Sequence, residues 1–486
     1  MKAKQPFQRF LRGLVLFIVI LGILDPITAS VRAMPLPGMH GARLTVAGAK
    51  HVETVPSGYH ITIGTMLLIS VTSDGVQGNS DSDSPSISAD GRFVTFHSTA
   101  SNLVSGDSNG FSDVFVHDLQ TSTIERVSVA GDGTQGNGTS KNPSISSDGR
   151  FVAFWSFAGN LVSGDTNAVA DIFVRDRQTA ETTRISVSTG GSQGASASDY
   201  PSISADGRFV AFQSVAWNLV AEDTNNKWDA FIHDRQTGET TRVSIASDGM
   251  QGNGDSGYPS ISSDGRFVVF ESTANNLVTG DTNAAKDLFI HDRQTSITER
   301  VSVSGDGTQA NDLCGYSNCP SSVSTDGRFV AFQSRANNLV AEDTNDWTDV
   351  FVRDRQLKET TRVSVSSDGA QGNNISEHPF ISSDGRLVAF QSLAGNLVPG
   401  DTGSYWDIFT HDRQTGETTR VSINDAGEQG NGYSRFPVIS DDMKWIAFHS
   451  SASNLVSGDG NGYLDVFETD RGTRSEIKIY LPLVTR

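Results

Sequence analysis

The chain is short of most residues that would mark it as a membrane protein, a helical array or a nucleic-acid binder. It has two cysteines in 486 residues, too few for a disulfide framework or a thiolate metal cluster. Positive charge is scarce: 37 Lys and Arg stand against 56 Asp and Glu, a net charge of −19. A surface of that sign repels phosphate backbones, which excludes a general nucleic-acid function. Apolar runs are also scarce. The longest, residues 13–24, has twelve residues, well below the roughly 20 that a membrane-spanning helix needs. The Leu, Ala, Lys and Glu richness of a helical repeat is missing too.

What the chain has instead is 48 Gly and 26 Phe, with many Ser, Thr, Val, Asp and Asn. This is the vocabulary of short strands and tight turns. One phrase recurs seven times. Its typical form is PSISADGRFVAFQS at 201–214, then a loop ending in DTN, then a DAFIHDRQTGETTRVSI-like run. The aspartate of its Asp-Gly turn falls at Asp90, Asp148, Asp206, Asp264, Asp326, Asp384 and, in a degenerate copy, Asp442. The steps are 58 residues except for one of 62. A fixed period of this kind marks units that cannot bury their apolar faces alone and must pack on one another.

Each repeat predicts four strands, here in the third copy: one around 202–204, a second over 208–214, a third over 230–234 and a fourth over 240–245. The Asp206-Gly207 turn joins the first two, since both turn residues tolerate positive φ. The second strand reads Phe-Val-Ala-Phe, apolar on both faces, as a sheet flanked by sheets requires. SISADGRFV and DVFVHD resemble the WD40-like propeller repeat of the TolB type (PD40), over roughly residues 66–474. The resemblance implies an all-β, seven-bladed β-propeller, and says little about function. The N-terminal domain that accompanies the propeller in TolB itself is expected to be absent, since only about 30 residues separate the leader from the first strand.

Residues 1–33 read as a secretory signal: a basic start, the apolar run, and a small-residue exit at Val31-Arg32-Ala33 or Ile27-Thr28-Ala29. A chain cut there would carry about −23. An N-terminal extension over 34–65 and a tail over 475–486 flank the propeller. The tail IYLPLVTR resembles short tails of secreted bacterial proteins. The expected location is therefore extracytoplasmic, in the envelope or outside a bacterial cell, and the expected state is a monomer with no membrane span after signal removal. LISVTSDGVQGN at 68–79 matches the fourth-strand phrase at 362–373 but precedes the first repeat. It is expected to complete the last blade, with 477–484 as the rival closer. Cys314 and Cys319 lie in the one longer repeat and are expected to form a local disulfide.

In such blades the long connections share one face, which is the expected binding face. Its most regular feature is an aspartate pair six apart: Asp107/Asp113, Asp165/Asp171, Asp223/Asp229, Asp281/Asp287, Asp343/Asp349, Asp401/Asp407 and Asp459/Asp465. Asn109, Asn167, Asn225, Asn283 and Asn345 stand two after the first aspartate of the first five pairs. These oxygens fit a calcium ion; equally, Asp and Asn cap turns. Aromatic residues beside the second aspartate, Phe111, Trp228, Trp347, Tyr405, Trp406 and Tyr463, suit a sugar face or a protein partner.

Three catalytic-looking strings, around Ser108, Ser256 and Gly131, are copies of the repeat without the strand–turn–helix context their chemistry needs. His117, His233, His291 and His411 form one row, read as replaced by Arg175, Arg353 and Glu468 in other copies. Seven equal environments do not make one acid–base centre, so no catalytic residue is assigned. The expectation is a protein- or glycan-binding scaffold rather than an enzyme. The alternatives are a propeller-type polysaccharide lyase or glycosidase, and a TolB-like envelope partner.

Overall fold

In the computed structural model, residues 65–312 and 318–470 are described. The leader, the extension up to residue 64, the tail and Cys314 lie outside them. Cys319 is disulfide-bonded, as expected of the pair.

The described chain is all-β: seven four-stranded antiparallel sheets form the blades of a β-propeller. Blade 3 is representative, with strands Ser198–Ile203, Phe209–Ser214, Asp229–Asp234 and Glu239–Arg242. Blades 1, 2, 4, 5 and 6 occupy 82–126, 140–184, 256–300, 321–362 and 376–420 in the same way. Blade 7 takes three strands from 434–470, and its fourth is Met66–Leu68, antiparallel to Asp465–Asp470 with Leu67 opposite Glu468. The N-terminal segment therefore closes the ring. The first strand of blade 1 packs on blade 7.

The repeated phrase is accounted for almost entirely by packing between blades. Val210, Ala211 and Phe212 are fully buried, so the apolar second strand does face a neighbour on each side. In the Ser-x-Asp-Gly-Arg turn, Ser204 Oγ donates to Asp206 (2.6 Å) and Gly207 N donates to Ser204 O (2.9 Å). Only the glycine takes positive φ (70°), and the Asp206 carboxylate caps the turn. A Cβ on Gly207 would lie 2.1 Å from the Phe151 ring of blade 2. Arg208 binds Asp234 through two nitrogens (2.8 and 2.6 Å). Arg235 stacks on Phe151 and donates to Gly207 O. At the short-turn end Ala89 N donates to Ser147 O, Ser147 N to Ala205 O, and Asp442 N back to Ala89 O. Ring closure is thus stitched at both rims.

The first strand is longer than the sequence suggested. It begins at Ser198 and bulges between Asp199 and Ser202. Tyr200, inside the bulge, has positive φ, as do Ser84, Asn142, Tyr258, His378 and Phe436 at the same place in other blades. The fourth strand ends early, at Arg242, and a bridge from Ile245 to Gln251 shapes the linker that follows.

Candidate functional site

The aspartate pairs of the long-loop rim surround an arginine from the fourth strand. Asp113 is fully buried. It accepts from Ser128 Oγ (2.5 Å) and Asn109 Nδ2 (2.9 Å), and Arg126 bridges it to Asp107 (3.3 and 3.1 Å). The same tie joins Arg184 to Asp165 and Asp171, Arg242 to Asp223 and Asp229, Arg300 to Asp281 and Asp287, and Arg362 to Asp343 and Asp349. Asn167, Asn225, Asn283 and Asn345 donate to the second aspartate as Asn109 does. The oxygens proposed for calcium thus enclose a guanidinium and capping amides. Among the described residues no group of three or more His, Cys, Asp or Glu is arranged to hold a metal ion.

The rim aromatics divide into two sets. Phe111, Trp347 and Tyr463 are exposed on separate blades and Trp228 is half-buried. Tyr405 and Trp406 of blade 6 instead join a cluster. Tyr405 meets Tyr433 edge-on (5.5 Å), and the Arg435 guanidinium lies over both Trp406 (5.2 Å) and Tyr433 (5.4 Å). Tyr433 and Arg435 stand just before Phe436, which lines the axial channel.

The channel is a cavity of about 710 Å³ lined by the first strands of all seven blades. First strands run from the long-loop face inward, so their opening residues ring its mouth. Here the repeat stops repeating. Between a constant serine and the proline stand Asp83-Ser84, Lys141-Asn142, Asp199-Tyr200, Gly257-Tyr258, Glu377-His378 and Arg435-Phe436. The facing position on the second strand is His97, Trp155, Gln213, Glu271, Gln333, Gln391 and His449.

Four of these facing residues have a structural task. Gln213, Gln333 and Gln391 accept the backbone N–H of Tyr258, His378 and Phe436 in the next blade (2.8–3.1 Å), and Glu271 accepts that of Cys319 (2.7 Å). His97 and His449 do not. His449 Nδ1 is 2.5 Å from Asp83 across the seam between blades 7 and 1. Burial pushes the Asp83 carboxyl up, but the hydrogen bond and charge of His449 outweigh it and hold the group far below the usual range. His97, opposite Asp83 in register, is buried with Nδ1 unpartnered. Burial drives its pKa down to about 4 against the pull of Asp83, leaving a neutral imidazole. His378 is likewise driven down to about 4 by burial, helped by His449 and Arg435, and its ring packs on Phe436 (4.3 Å). Across the mouth, burial raises Asp199 to about 6, and the Tyr200 and Tyr258 rings pack at 4.3 Å. Tyr200, Tyr258, Glu377, His378 and Phe436 line the cavity; Asp83, Asp199 and Arg435 are strand neighbours of lining residues, and His97 and His449 face Asp83 and Arg435 from the second strand. The sequence reading had not singled out this set. The signal was present as two variable positions between constant ones, Ser and Pro, in the aligned repeats.

Elsewhere the sequence-level expectations resolve simply. His233, His291 and His411 hydrogen-bond a threonine of the next strand (2.8–2.9 Å), and His117 bonds Ile69 O (2.7 Å). These are packing histidines. Glu468 does not belong to their row. The register pairs Thr469 with Ile446 as it pairs His117 with Val94, so Thr469 is the counterpart and Glu468 corresponds to Val116. Ser256 opens a first strand and bonds Ser272 (2.8 Å).

No known family model matches the chain, and no curated protein sequence matches it. Solved structures similar to it are β-propellers. An oligogalacturonate lyase from Vibrio parahaemolyticus is 15% identical, covers 85% of this chain and 98% of its own, and has a TM-score of 0.48. An oligogalacturonate lyase in complex with manganese is 14% identical over 86% and 98%, at 0.49. TolB from Acinetobacter baumannii is 13% identical over 79% and 81%, at 0.36. Likeness at this level speaks to fold and carries no argument about chemistry.

Proposed function

We propose that the protein is an extracytoplasmic propeller that binds a glycan at the long-loop mouth of its axial channel. One observation carries the reading: along the first strands, the residues between the constant serine and proline, which line or flank the channel, differ in charge and aromaticity from blade to blade. Constant residues build the ring, and unequal ones can distinguish a ligand. Flat rings (Trp406, Tyr433), a guanidinium held over them, and buried acids at a concave mouth are what a sugar's apolar faces and hydroxyls require. The basic start and apolar run of residues 1–33 support export.

Calorimetry against a panel of neutral and uronate-containing oligosaccharides tests this. Tyr433→Ala and Arg435→Ala should each weaken binding about tenfold or more without shifting the melting temperature, since each removes a contact of about 1–2 kcal/mol. Binding lost instead on Trp217→Ala at the outer rim, or no binding by any saccharide, would sink it.

A second reading, an enzyme acting on the same ligand, is favoured by the Asp83–His449 pair beside neutral His97. Such a carboxylate-oriented imidazole next to a second imidazole suits general acid–base work. Release of reducing ends from a bound oligosaccharide, abolished by His449→Ala with affinity retained, would support it; intact saccharide after prolonged incubation would rule it out.

A further inference from the structure

The seam between blades 7 and 1 differs from the other six at three levels. At the long-loop rim, Leu68 stands where the other blades place the bridging arginine. Asp459 and Asp465 are left with Gln77, Asn461 and Ser70 as partners. At the channel, the tie is the His449–Asp83 pair (2.5 Å). In the middle, Glu468 replaces Val116, Val174, Ile232, Ile290, Val352 and Thr410 of the other blades. It is fully buried, and neither carboxyl oxygen has a hydrogen-bond partner. Its neighbours across the strands are Leu67 and Ala447. The fourth strand that should hold this blade is three residues long.

The charged groups facing Glu468 are all acids: Asp442 and Asp470 of its own blade and Asp90 of blade 1. Lys444 is engaged with Asp442 (3.3 Å). Those facing His449 are Asp83, with His97, His378 and its cross-strand neighbour Arg435. A carboxylate in the first environment has nothing to offset its desolvation.

We propose that this seam is a pH-responsive latch, shut while the fully buried, unpartnered Glu468 carboxyl is neutral and loosened when it ionises. Burial, with the three acids adding to it, raises the Glu468 carboxyl from 4.5 to about 9. A carboxyl raised on folding stabilises the ring at low pH, and that contribution is lost as pH climbs from the unfolded value through about 9. Asp83, tied to His449 at this seam, is the strand neighbour of Ser84, which lines the channel, so loosening the latch bears on the ligand site.

The test needs no ligand, so its outcome is separate from that of the glycan reading. Melting temperatures of the full chain are measured from pH 6 to 10. The wild type should lose about 5 °C or more between pH 6 and 9 and little beyond. Glu468→Val, the residue of blades 1, 2 and 5, and the isosteric Glu468→Gln should both remove that fall. A Met66→Cys/Thr469→Cys pair, opposite in register, should flatten it when oxidised and restore it when reduced, with the wild type treated alike. A fall of equal size in both Glu468 variants, or in the oxidised double variant, would overturn the latch.

Discussion

Arg242 shows how a buried ion cluster is made from residues that look like a metal site. Its guanidinium lies 3.3 and 3.5 Å from Asp223 and Asp229. Burial raises the Asp229 carboxyl, and Ser244, Arg242 and Asn225 pull it back. Removing the cation alone should therefore be costly: Arg242→Ala is expected to destabilise by about 3–5 kcal/mol in urea unfolding. A loss below about 1 kcal/mol would mean the pair does not need its arginine. Asp199 has no comparable partner for Oδ1. Burial raises its carboxyl from 3.8 to about 6, so the protonated native form is favoured, and this stability is lost as pH rises from about 4 through 6. Asp199→Asn should flatten the pH–stability curve over that window, and an NMR titration should place the carboxyl well above 5. A midpoint near 4 would contradict the burial.

At the scale of the strand, the second strand's facing position separates scaffold from site. Gln391 caps Phe436 N of the next blade (3.1 Å), so Gln391→Ala should cost about 1–3 kcal/mol by orphaning that N–H. His97 fills the same position without capping anything. His97→Gln should accordingly leave the melting temperature unchanged or raise it while weakening ligand binding, a separation that a purely structural histidine would not produce. A destabilised His97→Gln protein with unaltered binding would return His97 to the scaffold. The strands themselves were legible because Phe-Val-Ala-Phe and Ser-x-Asp-Gly-Arg recur at fixed spacing. Their ends were less so. The bulge at Tyr200 depends on packing against the preceding blade, and the turn geometry on what the aspartate carboxylate bonds.

For the whole molecule, the ring was written in the repeat, including its closure by the segment before the first copy. Excision of residues 66–68 should expose the outer edge of Asp465–Asp470 in blade 7 and turn a single cooperative melt into a broad, lower one; an unchanged melt would mean another segment closes the ring. The site was hidden for the same reason the ring was plain. Seven-fold recurrence drew the eye to the aspartate pairs, yet recurrence is what each blade needs to satisfy its own buried polar groups. Ligand discrimination needs inequality, and that sits at two adjacent positions per blade, brought together only when seven first strands meet at one axis. Asp83 and His449 are 366 positions apart in the chain and 2.5 Å apart in space.

Hydrogen–deuterium exchange of the full chain, with and without a saturating oligosaccharide that binds, tests this account most directly. Protection is expected in the opening residues of the first strands, around 83–84, 141–142, 199–200 and 433–436, with the rim loops at 107–113 and 223–229 unaltered. Protection confined to those rim loops, with the channel mouth exchanging as before, would contradict it.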